Sequence, residues 1–213
     1  MPLVVDRFVL GSFQSNCYVI RSERGATEAV VVDPGDDPTP LRLELARMGA
    51  RAAGILVTHT DVDHIAGVGD LADGTGADVW APAGEVEALR TGETRGTFRV
   101  PPHDPAHVVS GGDPIEVAGI AFDVVDVPGH SPGHIAFHSR GALFSGDVLF
   151  AGSVGRADLP GGDWDTLLNS IRTLLGRFDP DTVVYPGHGD ATTLGRELET
   201  NPFLRDLRVE RPA

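Results

Sequence analysis

Four residues able to bind a metal ion crowd into THTDVDH, residues 58–64: His59, Asp61, Asp63 and His64. Imidazole and carboxylate are suitable ligands for Zn²⁺, Fe²⁺ or Mn²⁺. The stretch ends ILVTH, a short apolar run of the kind that forms a buried strand. Three other runs end in the same way: DVVDVPGH delivers His130, ALFSGD delivers Asp147 and TVVYPGH delivers His188. A lone histidine after a strand is ordinarily a surface or packing residue. Four strand ends that each reach a ligand-type residue, three of them beside glycine, point instead to a metal site built on loops at the edge of a rigid sheet.

Such loops need a framework. Short β-branched runs recur from FVLG near the start through NCYVIRS, EAVVVDPG, AGILVTH, DVWAP, IAFDVVDVPGH, HIAFHS and GALFSGD to DTVVYPGHG. Between them, TPLRLELARMGA and GDWDTLLNSIRTLLGRF are amphipathic, and HIAGVGDLADGTG is less clearly so. In the second of these Asp163 is placed to cap a helix whose apolar face is Leu167, Leu168, Ile171, Leu174 and Leu175. Many strands in two groups with helices interspersed suit two sheets packed face to face with helices outside, although periodicity alone does not choose this layout over other mixed α/β ones. TGETRGTFRVPPHDPAHVVSGGD reads as a long surface connection within one domain spanning residues 1–213. No solenoid-type repeat is visible.

The formal net charge is −14 and hydrophobic residues make up 41% of 213. A surface this acidic repels phosphate backbones, which argues against nucleic acid as a partner. No apolar run approaches the roughly 20 residues of a membrane helix. The start, MPLVVDRFVLG, lacks the basic and apolar regions of a secretory signal, so a cytoplasmic protein with no membrane partner is expected. The single cysteine, Cys17, lies in an apolar strand-like run and reads as a core residue. GSVGRADLPGGD matches neither phosphate-loop pattern and reads as turn structure, with Arg156 and Asp158 pairing.

The chain resembles the metallo-β-lactamase superfamily, and within it the short hydroxyacylglutathione hydrolase (glyoxalase II)-like enzymes. The resemblance rests on VVDPG at 31–35, THTDVDH at 58–64, PGHSPGH at 128–134, FSGD at 144–147, GSVGRADLPGGD at 152–163, VYPGHG at 184–189 and the tail TTLGRELETNPFL at 192–204. It implies a four-layer αββα sandwich with two divalent metal ions at one edge, Zn²⁺ in the first instance, with Fe²⁺ or Mn²⁺ as alternatives. Carried over residue by residue, His59 and His130 bind the first ion. Asp63, His64 and His188 bind the second, and Asp147 bridges, so that Asp147 and Asp63 stand closest to the reaction. His134 is then a supporting residue, and His103, His107 and His138 are surface or packing residues. Asp33 either orients the ligand loop or belongs to an ordinary Asp-Pro turn.

One position departs from the pattern. The family's loop reads HxHxDH, and here Asp61 stands where the second histidine is usual. If Asp61 ligates the first ion, that group gains a negative charge and an oxygen donor, which favours Fe²⁺ or Mn²⁺ more than usual. If it falls short, His59, His130 and Asp147 remain, the two-histidine, one-carboxylate set of non-haem iron oxygenases.

The implied activity is hydrolysis of a thioester or related ester of a small thiol, by attack of a metal-bound hydroxide. The alternatives are a persulfide dioxygenase of the same superfamily, a lactonase, or a metal-binding protein whose chemistry has decayed. A monomer or homodimer acting on a small acyl-thiol or ester is expected. The long forms carry a C-terminal extension that helps hold glutathione, and this chain ends without it. On the sequence alone, Asp61→His is expected to raise Zn²⁺ affinity at the first position, measured by titration of the metal-free protein.

Overall fold

The strand pattern of the sequence resolves into two six-stranded sheets. The computed structural model describes residues 1–209; residues 210–213, the end of the expected 1–213 domain, lie outside the described residues. The first sheet holds β1 (Val4–Leu10), β2 (Ser15–Arg21), β3 (Glu28–Val32), β4 (Arg51–Leu56), β5 (Asp78–Pro82) and β6 (His107–Val109), in that spatial order. Its first three strands are antiparallel and β3 to β6 run parallel. Helices α1 (Thr39–Met48), α2 (Val62–Ile65), α3 (Val68–Thr75) and α4 (Val86–Thr91) fall between the parallel strands, as crossover connections require.

The second sheet is built from β7 (Pro114–Val117), β8 (Ile120–Asp126), β9 (Ile135–Ser139), β10 (Ala142–Gly146), β13 (Val183–Pro186) and β14 (Thr192–Thr193), with β7 and β14 at its edges. A small hairpin, β11 (Leu149–Phe150) and β12 (Ser153–Val154), and the helix α5 (Trp164–Arg177) separate β10 from β13, which pair in parallel. Helices α6 (Leu194–Thr200) and α7 (Arg205–Val209) finish the described chain.

Period-2 alternation sorts the strand side chains into three cores. Tyr18, Ile20, Val30 and Leu56 face Phe122, Ile135, Phe137 and Phe144 between the sheets. Their neighbours Cys17, Val19, Val31 and Ile55 turn outward against Leu41, Leu45 and Leu71 of α1 and α3. On the other side Val125, Leu143 and Val184 pack on Leu167, Ile171 and Leu174 of α5. The result is the four-layer αββα sandwich. Because strands such as β2 are covered on both faces, their sequences read as continuous apolar runs rather than alternating ones. Cys17 is fully buried, and burial first and then the Asp33 charge hold its thiol well above the usual range, which fits a core role.

The helix α5 follows its sequence closely. The Asp163 side chain accepts from Thr166 N at 2.8 Å, the expected N-cap. Leu167, Ile171 and Leu174 are buried, while Leu168 and Leu175 are partly buried at the border of the apolar face. No helix among the described residues is long and apolar enough to cross a membrane.

Phe137 is fully buried at the centre of the intersheet layer. Phe137→Ala is expected to cost about 3–5 kcal/mol, read as a lower denaturant midpoint at unchanged slope.

Candidate metal centre

The carboxyl ends of β3, β4, β8, β10 and β13 open onto one edge of the sandwich, the place where open α/β sheets carry ligands. They deliver Asp33, the 59–64 loop, His130, Asp147 and His188 to a common point. Three overlapping groups of ligand-type residues form there; one, Asp33 with His59 and His64, lies behind the rings, and the other two face the edge. His59, Asp61 and His130 make one, and Asp63, His64 and His188 the other. In the first, Asp61 Oδ2 lies 3.1 Å from His130 Nε2 and 3.7 Å from His59 Nε2. In the second, Asp63 Oδ2 lies 3.2 Å from His188 Nε2 and 3.6 Å from His64 Nε2. Asp147 stands between them. Its Oδ2 is 3.8 Å from His130 Nε2 and 3.5 Å from His188 Nε2, and its Oδ1 is 3.5 Å from His64 Nε2.

The Asp61 carboxylate lies beside the other two residues of its cluster, as a ligand at this position would require.

Three imidazoles have their second nitrogen occupied, which fixes where the lone pair points. Thr58 Oγ1 donates to Asp33 Oδ2 at 2.7 Å, so at 3.0 Å from His59 Nδ1 it accepts from that ring. His64 Nδ1 lies 2.9 Å from Asp33 Oδ2, and His130 Nδ1 lies 2.8 Å from the Arg156 carbonyl. Each ring therefore presents Nε2 toward the cluster. His59 Nε2, His64 Nε2 and Asp147 Oδ1 are buried and have no hydrogen-bond partner among the described residues. Orphaned buried atoms of this kind are costly unless something else satisfies them, and a divalent cation suits this set of nitrogen and oxygen donors.

The charges agree. Burial, with the neighbouring His64 and His134 rings, keeps His59 well below the usual imidazole range and therefore neutral. Burial also opposes a charge on His64, but Asp147 and Asp33 outweigh it and lift its pKa well above the ordinary value. Hydrogen bonds from its ring to the Asp147 and Asp63 carboxylates raise His188 to about 9. Asp147 is held well below the usual carboxylate range: its burial works the other way, and His64 and His188 overcome it.

The supporting shell settles several sequence expectations. Asp33 orients the ligand loop and is more than a turn residue: it accepts from Thr58 N, Thr58 Oγ1 and His64 Nδ1. Its backbone sits at φ 49°, a conformation that Asp tolerates better than most residues. His134 is a supporting residue. Its Nε2 accepts from the Asp147 backbone N–H at 3.1 Å, and its ring stacks on His59 at 4.5 Å. Burial lowers its pKa to about 3, so it stays neutral. His107 stacks on Trp80 and His138 on Phe178, away from the clusters, and Arg156 pairs with Asp158 through two hydrogen bonds. Gly187 must be glycine, since a Cβ there would come within 2.1 Å of Asp147 Oδ1.

Sequence reasoning missed two charged residues. Glu85, buried at the start of α4, accepts from Thr60 N at 2.7 Å, Thr60 Oγ1 at 2.8 Å and Gly133 N at 3.0 Å. It thereby ties the His59 loop to the His130 loop. Arg95 corrects the reading of residues 91–113 as a plain surface connection: the segment forms β6 and sends Arg95 inward, where Nε and Nη2 clasp both oxygens of Asp61. No local sequence pattern marks either residue.

Glu85→Ala is expected to cost about 2–3 kcal/mol by leaving three donors without an acceptor. Urea denaturation in chelator measures that cost, and competition titration should show metal affinity lowered roughly 10–100-fold.

The comparisons with known proteins agree with this geometry. A family model described as the metallo-beta-lactamase superfamily matches residues 10–188. The hydroxyacylglutathione hydrolase GloC of Haemophilus influenzae is 33% identical over 201 residues, covering 91% of this chain and 94% of that protein. The crystal structure of the BLEG-1 B3 metallo-beta-lactamase matches with a TM-score of 0.88 at 34% identity, over 95% of this chain and 100% of that one. That of TTHA1623 in a di-iron-bound form matches at 0.78 and 38% identity, over 94% and 100%. The chain belongs to the metallo-β-lactamase superfamily, in its glyoxalase II-like branch.

Proposed function

We propose that this chain is a metal-dependent hydrolase of a thioester, or a related ester, of a small thiol. The observation that carries the reading is the set of buried Nε2 and carboxylate atoms of His59, His64 and Asp147 that have no hydrogen-bond partner among the described residues, beside an apolar-walled cavity that Asp147 lines. His59, Asp61 and His130 would hold one divalent ion, and Asp63, His64 and His188 another, with Asp147 shared between them. Ions bound there supply a Lewis acid and a water acidic enough to react near neutral pH. Zn²⁺ suits both groups, and the carboxylate of Asp61 shifts the first toward Fe²⁺ or Mn²⁺.

The remaining work falls to the chain's own residues. Thr58, Asp33 and the Arg156 carbonyl fix the three imidazoles, and His134 fixes the backbone of Asp147. The cavity above them has a volume of about 490 Å³, with Phe13, Phe98, Phe150 and Leu159 in its walls. These side chains exclude water from one side of the site and receive the apolar part of a substrate, leaving its carbonyl carbon beside the two clusters. The lining includes no Ser, Cys or Lys, and the Thr94 hydroxyl there donates to the Phe98 carbonyl, which fits water as the nucleophile. Arg156 is the only basic side chain other than histidine in the lining, and Asp158 already pairs with it. An acyl thioester with little negative charge fits this wall better than a polyanionic glutathione conjugate.

The test is thiol release from short acyl thioesters by protein loaded with Zn²⁺, Fe²⁺ or Mn²⁺, with chelated protein as the control. Turnover that disappears with chelator is the expected result. No release by protein shown to hold metal would sink the proposal. Asp147→Ala is expected to lower turnover by more than roughly a hundredfold and to reduce the metal content measured by elemental analysis; near-normal turnover would overturn the site assignment.

A further inference from the structure

Asp61 is not alone. The guanidinium of Arg95 grips it in a fork, Nε to Oδ1 at 2.7 Å and Nη2 to Oδ2 at 2.5 Å. The same guanidinium reaches His130, with Nη1 donating to the backbone carbonyl at 2.5 Å and Nη2 lying 3.0 Å from the ring Nε2. Both side chains are mostly shielded, Arg95 at 10% exposure and Asp61 at 16%. The loop that carries Arg95 is itself pinned: Glu93 and Arg99 form a backbone bridge and an ion pair, Thr94 Oγ1 donates to Phe98 O, and Phe98 meets Phe13 edge to face at 5.9 Å.

Two simpler roles for Arg95 fail on these contacts. It is not a free anion hook for substrate, because Nε, Nη1 and Nη2 are all engaged within the protein. It does not fully take the ion's place either: Nη2 lies against Asp61 Oδ2 and His130 Nε2, but His59 Nε2 has no hydrogen-bond partner among the described residues. The guanidinium covers the outer side of the first cluster and leaves the third donor of that cluster open.

We propose that Asp61 and Arg95 act as one unit in place of the usual second histidine. Arg95 is a positioning residue that cancels the charge of Asp61 and aims its Oδ2 at His59 and His130. A neutral imidazole and a carboxylate–guanidinium pair carry the same net charge, so the unit restores what Asp61 alone would upset. A bidentate fork also fixes the carboxylate's orientation, which a lysine could not do. It follows that histidine at position 61 suits this site only when Arg95 is also replaced. With Arg95 intact, Asp61→His strands a shielded guanidinium beside the ion, a loss that outweighs a better zinc ligand. This reverses the expectation drawn from the sequence alone.

The inference rests on the metal-binding reading of the cluster, and its test reads metal affinity rather than turnover. Wild type, Asp61→His, Arg95→Gln and the double variant are stripped with chelator and titrated with Zn²⁺ against a chromophoric competitor. Asp61→His is expected to weaken one of the two Zn²⁺ equivalents, and Arg95→Gln in that background to recover about tenfold. Recovery above threefold supports the unit. Recovery of threefold or less, or tighter binding by Asp61→His with Arg95 intact, overturns it. Should Asp61→His fail to fold, the same cycle with Asp61→Asn reads the same coupling, since it too removes the charge. A wild-type chain that takes up no ion at His59 and His130 overturns the site reading together with the unit, whereas two ions without coupling overturn the unit alone.

Discussion

Three carboxylates, Asp61, Asp63 and Asp147, converge with four imidazoles where little water enters, and their charges must be neutralised from within the protein or by a bound cation. Everything around the site follows from this constraint. Arg95 meets part of it by clasping both oxygens of Asp61. What remains is a set of buried atoms, His59 Nε2 among them, that no group of the described chain satisfies. A site held open in this way is poised for a cation rather than for collapse.

Holding it open demands rigidity, and the sandwich supplies it. Each cluster residue leaves a strand whose neighbours are locked by register and by packing on both faces. The connections between loops are then polar and specific. Asp33 spans β3 and the His59 loop, Glu85 joins the His59 loop to the His130 loop, and His134 reaches across to Asp147. The tail contributes at one remove. Asn201 donates to the Ser153 carbonyl and Glu197 accepts from Gly152 N, which secures the turn leading to Arg156, whose carbonyl holds His130. The NPFL tail of the resemblance thus has a structural purpose.

The exchange of a histidine for Asp61 shows how a local change is absorbed by a distant one. A carboxylate at that position has a charge that the imidazole lacks and a shorter reach. The loop between α4 and β6 answers with Arg95, 34 residues away in the chain. In the proposed unit, the chemistry of one candidate ligand position is supplied by two side chains.

Much of this was legible in the sequence. Short apolar β-branched runs, the N-cap and apolar face of α5, and ligand-type residues after strands are local signals, because strand and helix geometry bring their residues together over a few positions. The seven cluster residues could be named for that reason, and so could Cys17 as a core residue. Arg95 and Glu85 could not, since nothing in TGETRGTFR or APAGEVEAL distinguishes them from the other acidic and basic residues of the chain. Their partners lie 25 to 48 residues away, and only the closing of the two sheets sets those distances. The sequence by itself determined the residues offered to a metal and, through its spaced motifs and the family they resemble, the fold class. The tertiary structure alone decided that Asp61 reaches its cluster and that its charge is cancelled, because both depend on a loop whose path no local pattern records.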